Sequence, residues 1–344
     1  MATLFYLYNT MKKLLTALSI MFTSYLQPLS AQTAKELQET AKIFMRQSDF
    51  ANASLVLTKC LQKDPANLEA TKDLAMSYYY QKSNEKALEI IKPLLDNEQA
   101  DDQCFHIAGL IFGQLSQTSE SEKAFKKGIK KFPDSGPLYN ELGEAQLANK
   151  NKDAIKTWEK GIEMDPSFSK NYFNAARYYY FNNTDKIWSI IYGEIFVNMD
   201  PAGENTQEMK QLILETYKKL FIPNDPDLNA VTKNNFIKNY VETLNKQADQ
   251  ASAGISTSTL AIIRARFILD WYSKNNKPAF KLFIYQQQLL REGLFEAYNQ
   301  WLFAAAENAA AYDNWVKTHV EENKKFVDFQ KSRIFKFPIG QYYK

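Results

Sequence analysis

The chain has 344 residues, 45% hydrophobic and 24% charged, with a net charge of +3 and its basic residues scattered. This is a globular balance for about two domains, and it carries no clustered basic footprint for nucleic acid. Two cysteines exclude a disulfide framework, and two distant histidines, His106 and His319, are too few for a zinc site, so no cofactor is expected.

The chain opens on a targeting pattern. Lys12 and Lys13 are the only charges before residue 35. An apolar run over residues 14–26 follows, then Pro28 and the small residues Ser30 and Ala31. That order of parts predicts a signal peptide over residues 1–31, cleaved after Ala31. The run is too short and too rich in Ser and Thr for a stable membrane span, and a retained anchor is the alternative. No cysteine follows it closely, which argues against a lipid anchor at the cleavage site. The expected location is the periplasm or cell envelope of a Gram-negative bacterium. The ten residues ahead of Met11 add nothing such a segment needs.

From residue 34 the composition turns to Ala, Leu, Lys, Glu and Gln, with no alternating runs of Val, Ile and Thr, which predicts an all-α fold. Small residues recur at one phase, Ala41, Ala75, Gly109, Gly143 and Ala176, spaced 34, 34, 34 and 33. Three residues after each stand Phe44, Tyr78, Phe112, Gln146 and Tyr179. A second small series, Ala53, Ala87, Ser121 and Ala154, precedes Leu57, Ile91, Phe125 and Trp158 by four. Pro65, Pro133 and Pro166 close three units. Such a period indicates stacked helical hairpins, since one amphipathic hairpin cannot bury both its faces alone. Gly128 and Gly161 fall inside predicted helices, where close packing is a sufficient reason for glycine. Cys60 and Cys104 are expected to be buried.

These residues resemble the tetratricopeptide repeat family, whose pattern is clearest in YNELGEAQLANKNKDAIKTWEKGIEMDP, residues 139–166. The resemblance implies a helical-hairpin solenoid of four to five repeats over residues 34–202. It departs from the family at Gln99, where a proline is expected, in the shortened fourth unit, and at Trp188, which occupies a small-residue position. In this family the first helix of each hairpin lines an inner groove. The groove residues so implied are Lys72, Met76, Tyr79 and Tyr80, then His106, Leu110 and Gln114. Asn140, Glu144 and Leu147 come next, followed by Phe173, Arg177, Tyr180 and Phe181. Met76 and Leu110 stand where a carboxylate clamp would need polar groups, so an extended or helical peptide with apolar anchors suits this surface better. The competing expectation is that the tyrosines pack on neighbouring helices. Tyr78 and Tyr179 hold the repeating aromatic position and are expected in the core.

After residue 202 the period is lost, and residues 203–344 are expected to form a separate α-helical domain. A helix is predicted to begin near Ser256, and Trp271, Trp301 and Trp315 fall on apolar faces. The tail KSRIFKFPIGQYYK breaks the helical pattern at Pro338 and Gly340. Its Ile334, Phe335, Phe337 and Ile339 are expected to cover the chain's own helices. Docking of Phe335 and Phe337 on Tyr79, Tyr80, Tyr180 and Phe181, in the same chain or in a homodimer, is the alternative. No phosphate-binding loop, nucleophile elbow or zinc-protease motif is present. The function expected is a non-enzymatic scaffold for a protein or peptide partner, with no nucleic acid. The alternatives are a carbohydrate or small-molecule binder of an uptake system and a cryptic hydrolase in residues 203–344.

Overall fold

The computed structural model describes residues 32–229, 232–273 and 278–344. The predicted signal segment, 1–31, lies outside the described residues. Among the described residues every regular element is a helix, and none is long and apolar enough to cross a membrane. Contacts divide the chain into two compact units at Ala100 and Asp101.

The first unit holds two hairpins, α1 (Ala34–Arg46) with α2 (Phe50–Lys63), and α3 (Leu68–Tyr80) with α4 (Asn84–Ile91). Thr33 and Glu36 cap α1 reciprocally, and Asn67 caps α3, satisfying amides that the first turn leaves open. Leu37, Ala41, Leu57, Cys60, Ala70 and Leu74 form the core. Pro93 stops α4 after eight residues and turns the chain into a short 3-10 segment, Lys92–Asp96. The proline missing at Gln99 is therefore replaced by an earlier one, inside what would have been the second helix.

The second unit begins with three more hairpins. They are α5 (Asp102–Gln114) with α6 (Thr118–Lys131), α7 (Gly136–Ala148) with α8 (Ala154–Met164), and α9 (Ser169–Asn182) with α10 (Lys186–Met199). All five hairpin turns share one device. The chain passes through a left-handed residue, Ser48, Lys82, Ser116, Lys150 or Asn183. The next amide then donates to the carbonyl of the repeating aromatic position, Phe44, Tyr78, Phe112, Gln146 or Tyr179. This is the hydrogen-bonding of a helix that ends on a left-handed residue.

The small residues do what their spacing predicts. A Cβ on Gly109 would lie 2.2 Å from the Phe125 ring, and one on Gly143 would lie 2.2 Å from Trp158 Nε1. Gly128 and Gly161 are equally crowded, by Phe105 at 2.7 Å and by the Asn171 amide at 2.5 Å. The Trp158 indole N–H donates to the carbonyl of Asn140, 3.1 Å away, which locks the ring over Gly143. Cys60 and Cys104 are buried, their thiols donating to the Ala34 carbonyl at 3.1 Å and to Asp101 Oδ1 at 3.2 Å.

The fifth hairpin corrects one assignment. Its turn contains a second left-handed residue, Asp185, which advances the following helix by one position. Ser189 rather than Trp188 then meets α9, donating from Oγ to the Ala176 carbonyl at 2.9 Å, as Ser121 does to Gly109 at 2.8 Å. Trp188 turns the other way and stacks on Phe236 at 5.5 Å.

That rotation follows from what surrounds α10. Every residue from Lys186 to Asn198 is buried, as expected of a helix that is apolar on all sides. Its cover comes from α11 (Thr206–Leu220), α12 (Asn235–Asn245), α14 (Thr257–Tyr272) and α15 (Lys281–Arg291), with the short α13 (Ala248–Ala251) packed on α14. Ser256 caps α14. α16 (Phe295–Asn299) runs into one turn of π-helix, Gln300–Ala304, and α17 (Ala305–Glu307), α18 (Ala309–Thr318) and α19 (Val320–Lys331) follow. One apolar core extends from Ala154 to Phe337 and takes in Trp271 fully, with Trp301 and Trp315 at its edge. The helices after residue 202 thus share their core with the last two hairpins. Inside it, Glu194 Oε1 pairs with Arg264 Nη2 and accepts from Gln286 Nε2 and the Tyr298 hydroxyl, each at 2.6 Å.

The tail lies extended on this unit. Phe335 packs edge-on to Tyr285 at 5.2 Å, and Phe337 to Phe280 at 5.3 Å and Tyr172 at 6.0 Å. Lys344 pairs with Asp185 at 2.8 Å. The rings therefore cover the chain's own helices. Ile334 and Ile339 do not follow them: they are 81% and 80% exposed, Ile334 because alternate side chains of an extended segment face away from the core, and Ile339 because it stands in the turn with the left-handed Gly340.

Two outcomes follow. Gly143→Leu must displace the Trp158 indole, and thermal melts should show a loss of about 1–3 kcal/mol, against a much smaller loss for the half-open His106→Ala. The second concerns Lys210 on α11, which is buried with its ammonium 3.6 Å above the Trp301 ring, and whose pKa burial pushes down to about 7. Between about pH 7 and about pH 10 the unfolded chain then holds a proton that the folded chain has released, so stability rises with pH in that window. Lys210→Met should be more stable than wild type by about 1–3 kcal/mol at pH 7, with the gap closing toward pH 10. A gap that stays constant across the window would show that Lys210 does not titrate there.

Candidate binding face

In the second unit the first helices of successive hairpins, α5, α7 and α9, lie side by side. The repeat period therefore stacks equivalent residues into columns. One column is His106, Asn140 and Asn174, spaced 34 and 34. Asn174 Nδ2 donates to Asn140 Oδ1 at 3.0 Å, and Asn140 Nδ2 donates to Glu141 Oε1 at 3.0 Å. His106 Nε2 stands 3.7 Å from the same carboxylate oxygen. Burial acts to raise the Glu141 carboxyl, but His106 and Asn140 hold it below its ordinary value. Glu144, one turn on, is raised, first by burial and then by the neighbouring Glu141.

Beside the polar column runs an aromatic edge. The Arg177 guanidinium lies 5.1 Å from the Phe173 ring and 5.6 Å from that of Phe181, and its Nε is 3.0 Å from Glu208 on α11. Phe173 is buried against Phe196 at 5.0 Å. Phe181 is 66% exposed and meets Tyr180 edge-on at 5.1 Å. Leu147 is also exposed.

The expected groove residues therefore separate by environment. Gln114, Glu144, Leu147 and Phe181 are open, while His106, Leu110, Arg177 and Tyr180 are half-buried. Asn140 and Phe173 are buried and support the face from beneath. Tyr180 is covered by Lys219, whose ammonium is 3.7 Å from its ring, so for this residue packing on a neighbouring helix prevails. In the first unit Lys72 is 2% exposed and pairs with Glu69 at 2.6 Å, which removes it from an open surface. Met76 and Tyr79 are half-buried. Tyr80 is exposed but stacks on Phe50 at 4.5 Å. Tyr179 is core, as its phase predicts, whereas Tyr78 is only half-buried.

Sequence reasoning missed Asn174, Glu141 and Glu208. Asn174 was within reach, since it stands 34 residues after Asn140. Glu208 was not, because it lies outside the repeat. Chemically the face offers carboxylates, amide groups, one guanidinium and apolar anchors. Among the described residues no group of three histidines, cysteines or carboxylates could hold a metal ion.

The family model described as a tetratricopeptide repeat matches residues 44–107. No curated protein matches the chain. Among solved structures the chain is similar to MamA at 20% identity and a TM-score of 0.39, over 52% of this chain and 95% of that one. It is similar to YrrB, described as a TPR protein with an unusual peptide-binding site, at 15% identity and a TM-score of 0.37, over 55% and 97%. It is also similar to a tetratricopeptide repeat protein from Parabacteroides merdae, at 13% identity and a TM-score of 0.42, over 83% and 98%. Residues 44–107 thus match the tetratricopeptide repeat model, and the hairpin period, the shared turn and the small residues at the crossings continue that repeat pattern through the five hairpins.

Proposed function

We propose that the repeats form a non-enzymatic scaffold that takes a protein or peptide partner along the face of α5, α7 and α9. The observation that carries this reading is the column of His106, Glu141, Asn140 and Asn174, hydrogen-bonded from Glu141 through Asn140 to Asn174, with open Phe181 and Leu147 beside it. A buried, mutually satisfied amide row holds the face rigid, and a rigid surface loses little entropy on binding. The exposed rings supply apolar anchors. Glu144 and Glu208 favour a cationic group on the partner. An extended peptide with apolar and basic side chains meets these requirements. The cell-envelope location rests on the pattern from Lys12 to Ala31 alone.

The reading is tested with 12-residue peptides selected from a random library on the whole protein. Their affinity, read by fluorescence anisotropy, should fall about tenfold or more in Glu144→Gln/Phe181→Ala, a double variant of open residues, with an unchanged melting temperature. Peptides that bind the double variant as tightly as wild type, or a library that yields no binders, would contradict it.

A further inference from the structure

A second concavity lies away from that face, where α15, α19 and the start of the tail meet the end of α10. Its volume is ≈ 540 Å³, within the usual range for small-molecule sites. Three cations line it, Lys281, Lys331 and Arg333, and no carboxylate does. In a chain of +3 over 344 residues that is a local excess of one sign. Neither Lys281 nor Lys331 is paired with an acid among the described residues. Arg333 is partly neutralised by Glu292, 3.7 Å away, and its guanidinium lies 4.5 Å over the Phe329 ring.

Its apolar and polar parts are both built in. Tyr285, Phe329 and Phe335 supply ring surface, with Phe335 and Phe329 set against Tyr285 at 5.2 and 5.8 Å. Asn198, 7% exposed, also lines the cleft. Its Nδ2 donates to the Tyr298 hydroxyl at 2.7 Å and to the Glu194 carbonyl at 2.8 Å. Tyr298 in turn donates to the buried Glu194 carboxylate, so the amide is held in one orientation. Its oxygen accepts no hydrogen bond among the described residues and is available to a hydroxyl.

We infer that this cleft is a small-molecule site for an acidic sugar, a uronic acid or short oligouronide. Lys281, Lys331 and Arg333 receive the carboxylates. The Asn198 oxygen accepts from a ring hydroxyl. The apolar C–H face of the sugar lies on the rings, which alone would hold a neutral sugar as well as an acidic one. A phosphate alone would use the cations but neither Asn198 nor the aromatic surface. An aromatic acid would use the cations and rings but leave Asn198 without a donor.

Calorimetric titration of the whole protein separates these cases, with trigalacturonate as the probe, maltotriose as the neutral sugar and hippurate as the aromatic acid. Trigalacturonate should bind saturably, maltotriose and hippurate about tenfold or more weakly, and raised salt should weaken the acidic ligands. Lys331→Gln/Arg333→Gln, a double variant of exposed residues, should lose about tenfold or more in trigalacturonate affinity at an unchanged melting temperature. No saturable binding of trigalacturonate at about 10 mM would overturn the inference, as would equal binding by the double variant. Equal affinity for maltotriose would remove the role of the cations, and tighter binding of hippurate would remove the sugar; either result overturns it.

Discussion

The second unit depends on the burial of α10 on every side. A repeat helix normally buries one stripe against its hairpin partner and the next repeat, and leaves the rest to water. α10 has no such solvent face. Even its charged residues are inside: Lys186 pairs with Asp225 at 3.1 Å and Asp227 at 3.2 Å, and Glu194 pairs with Arg264. Removing one partner of a buried pair costs about 3–5 kcal/mol, because the other charge stays buried alone. Both acids near Lys186 follow residue 202, and so does Arg264. The repeats therefore cannot close on themselves, and α11, α12, α14, α15 and the tail complete the core that α10 opens.

The same constraint explains which parts of the chain were legible in advance. The period, the small residues and the partner rings at 125 and 158 are local events repeated, and repetition makes them visible. Gly109 and Gly143 are readable because each faces a ring that its own hairpin supplies. The extra left-handed residue at Asp185 was not legible, since Asp gives no warning of positive φ as Gly would. Its effect, the exchange of Trp188 for Ser189 at the crossing, depends on Phe236, far along the chain. Lys72 read as an open groove cation because the first-helix phase is right for it, yet Glu69 on its own helix draws it in. Ile334 and Ile339 read as buried because hydropathy says neither which alternate residues of an extended tail face inward nor where the tail turns. The residues before the first helices, Thr33, Asn67, Asp101 and Ser135, carry the repeat phase as clearly as the glycines do, and Asp101 and Ser135 bound two of the helices of the candidate face.

The candidate sites sit on supports of different kinds. The face of α5, α7 and α9 repeats, so its geometry is set by hairpin packing and its chemistry by whichever residue occupies each step of the column. The cleft near Asn198 does not repeat. Its one rigid polar group is fixed through Tyr298 to Glu194, at the heart of the buried helix. Rigid elements with hydrogen-bonded support hold functional groups more closely than loops do, and both sites meet that condition by separate routes.

The central claim is that α10 holds the last hairpins and the following helices in one core. The most direct measurement is the thermal unfolding of a chain ended at residue 202, followed by near-ultraviolet circular dichroism and by binding of an apolar dye. With α10 stripped of its cover, the signal from packed aromatic rings should be lost in the second unit's hairpins, dye should bind, and no cooperative transition should be seen for them. A shortened chain that kept the aromatic signal of residues 101–202, bound no dye and melted cooperatively would show that those repeats close without the C-terminal helices, and would contradict the account.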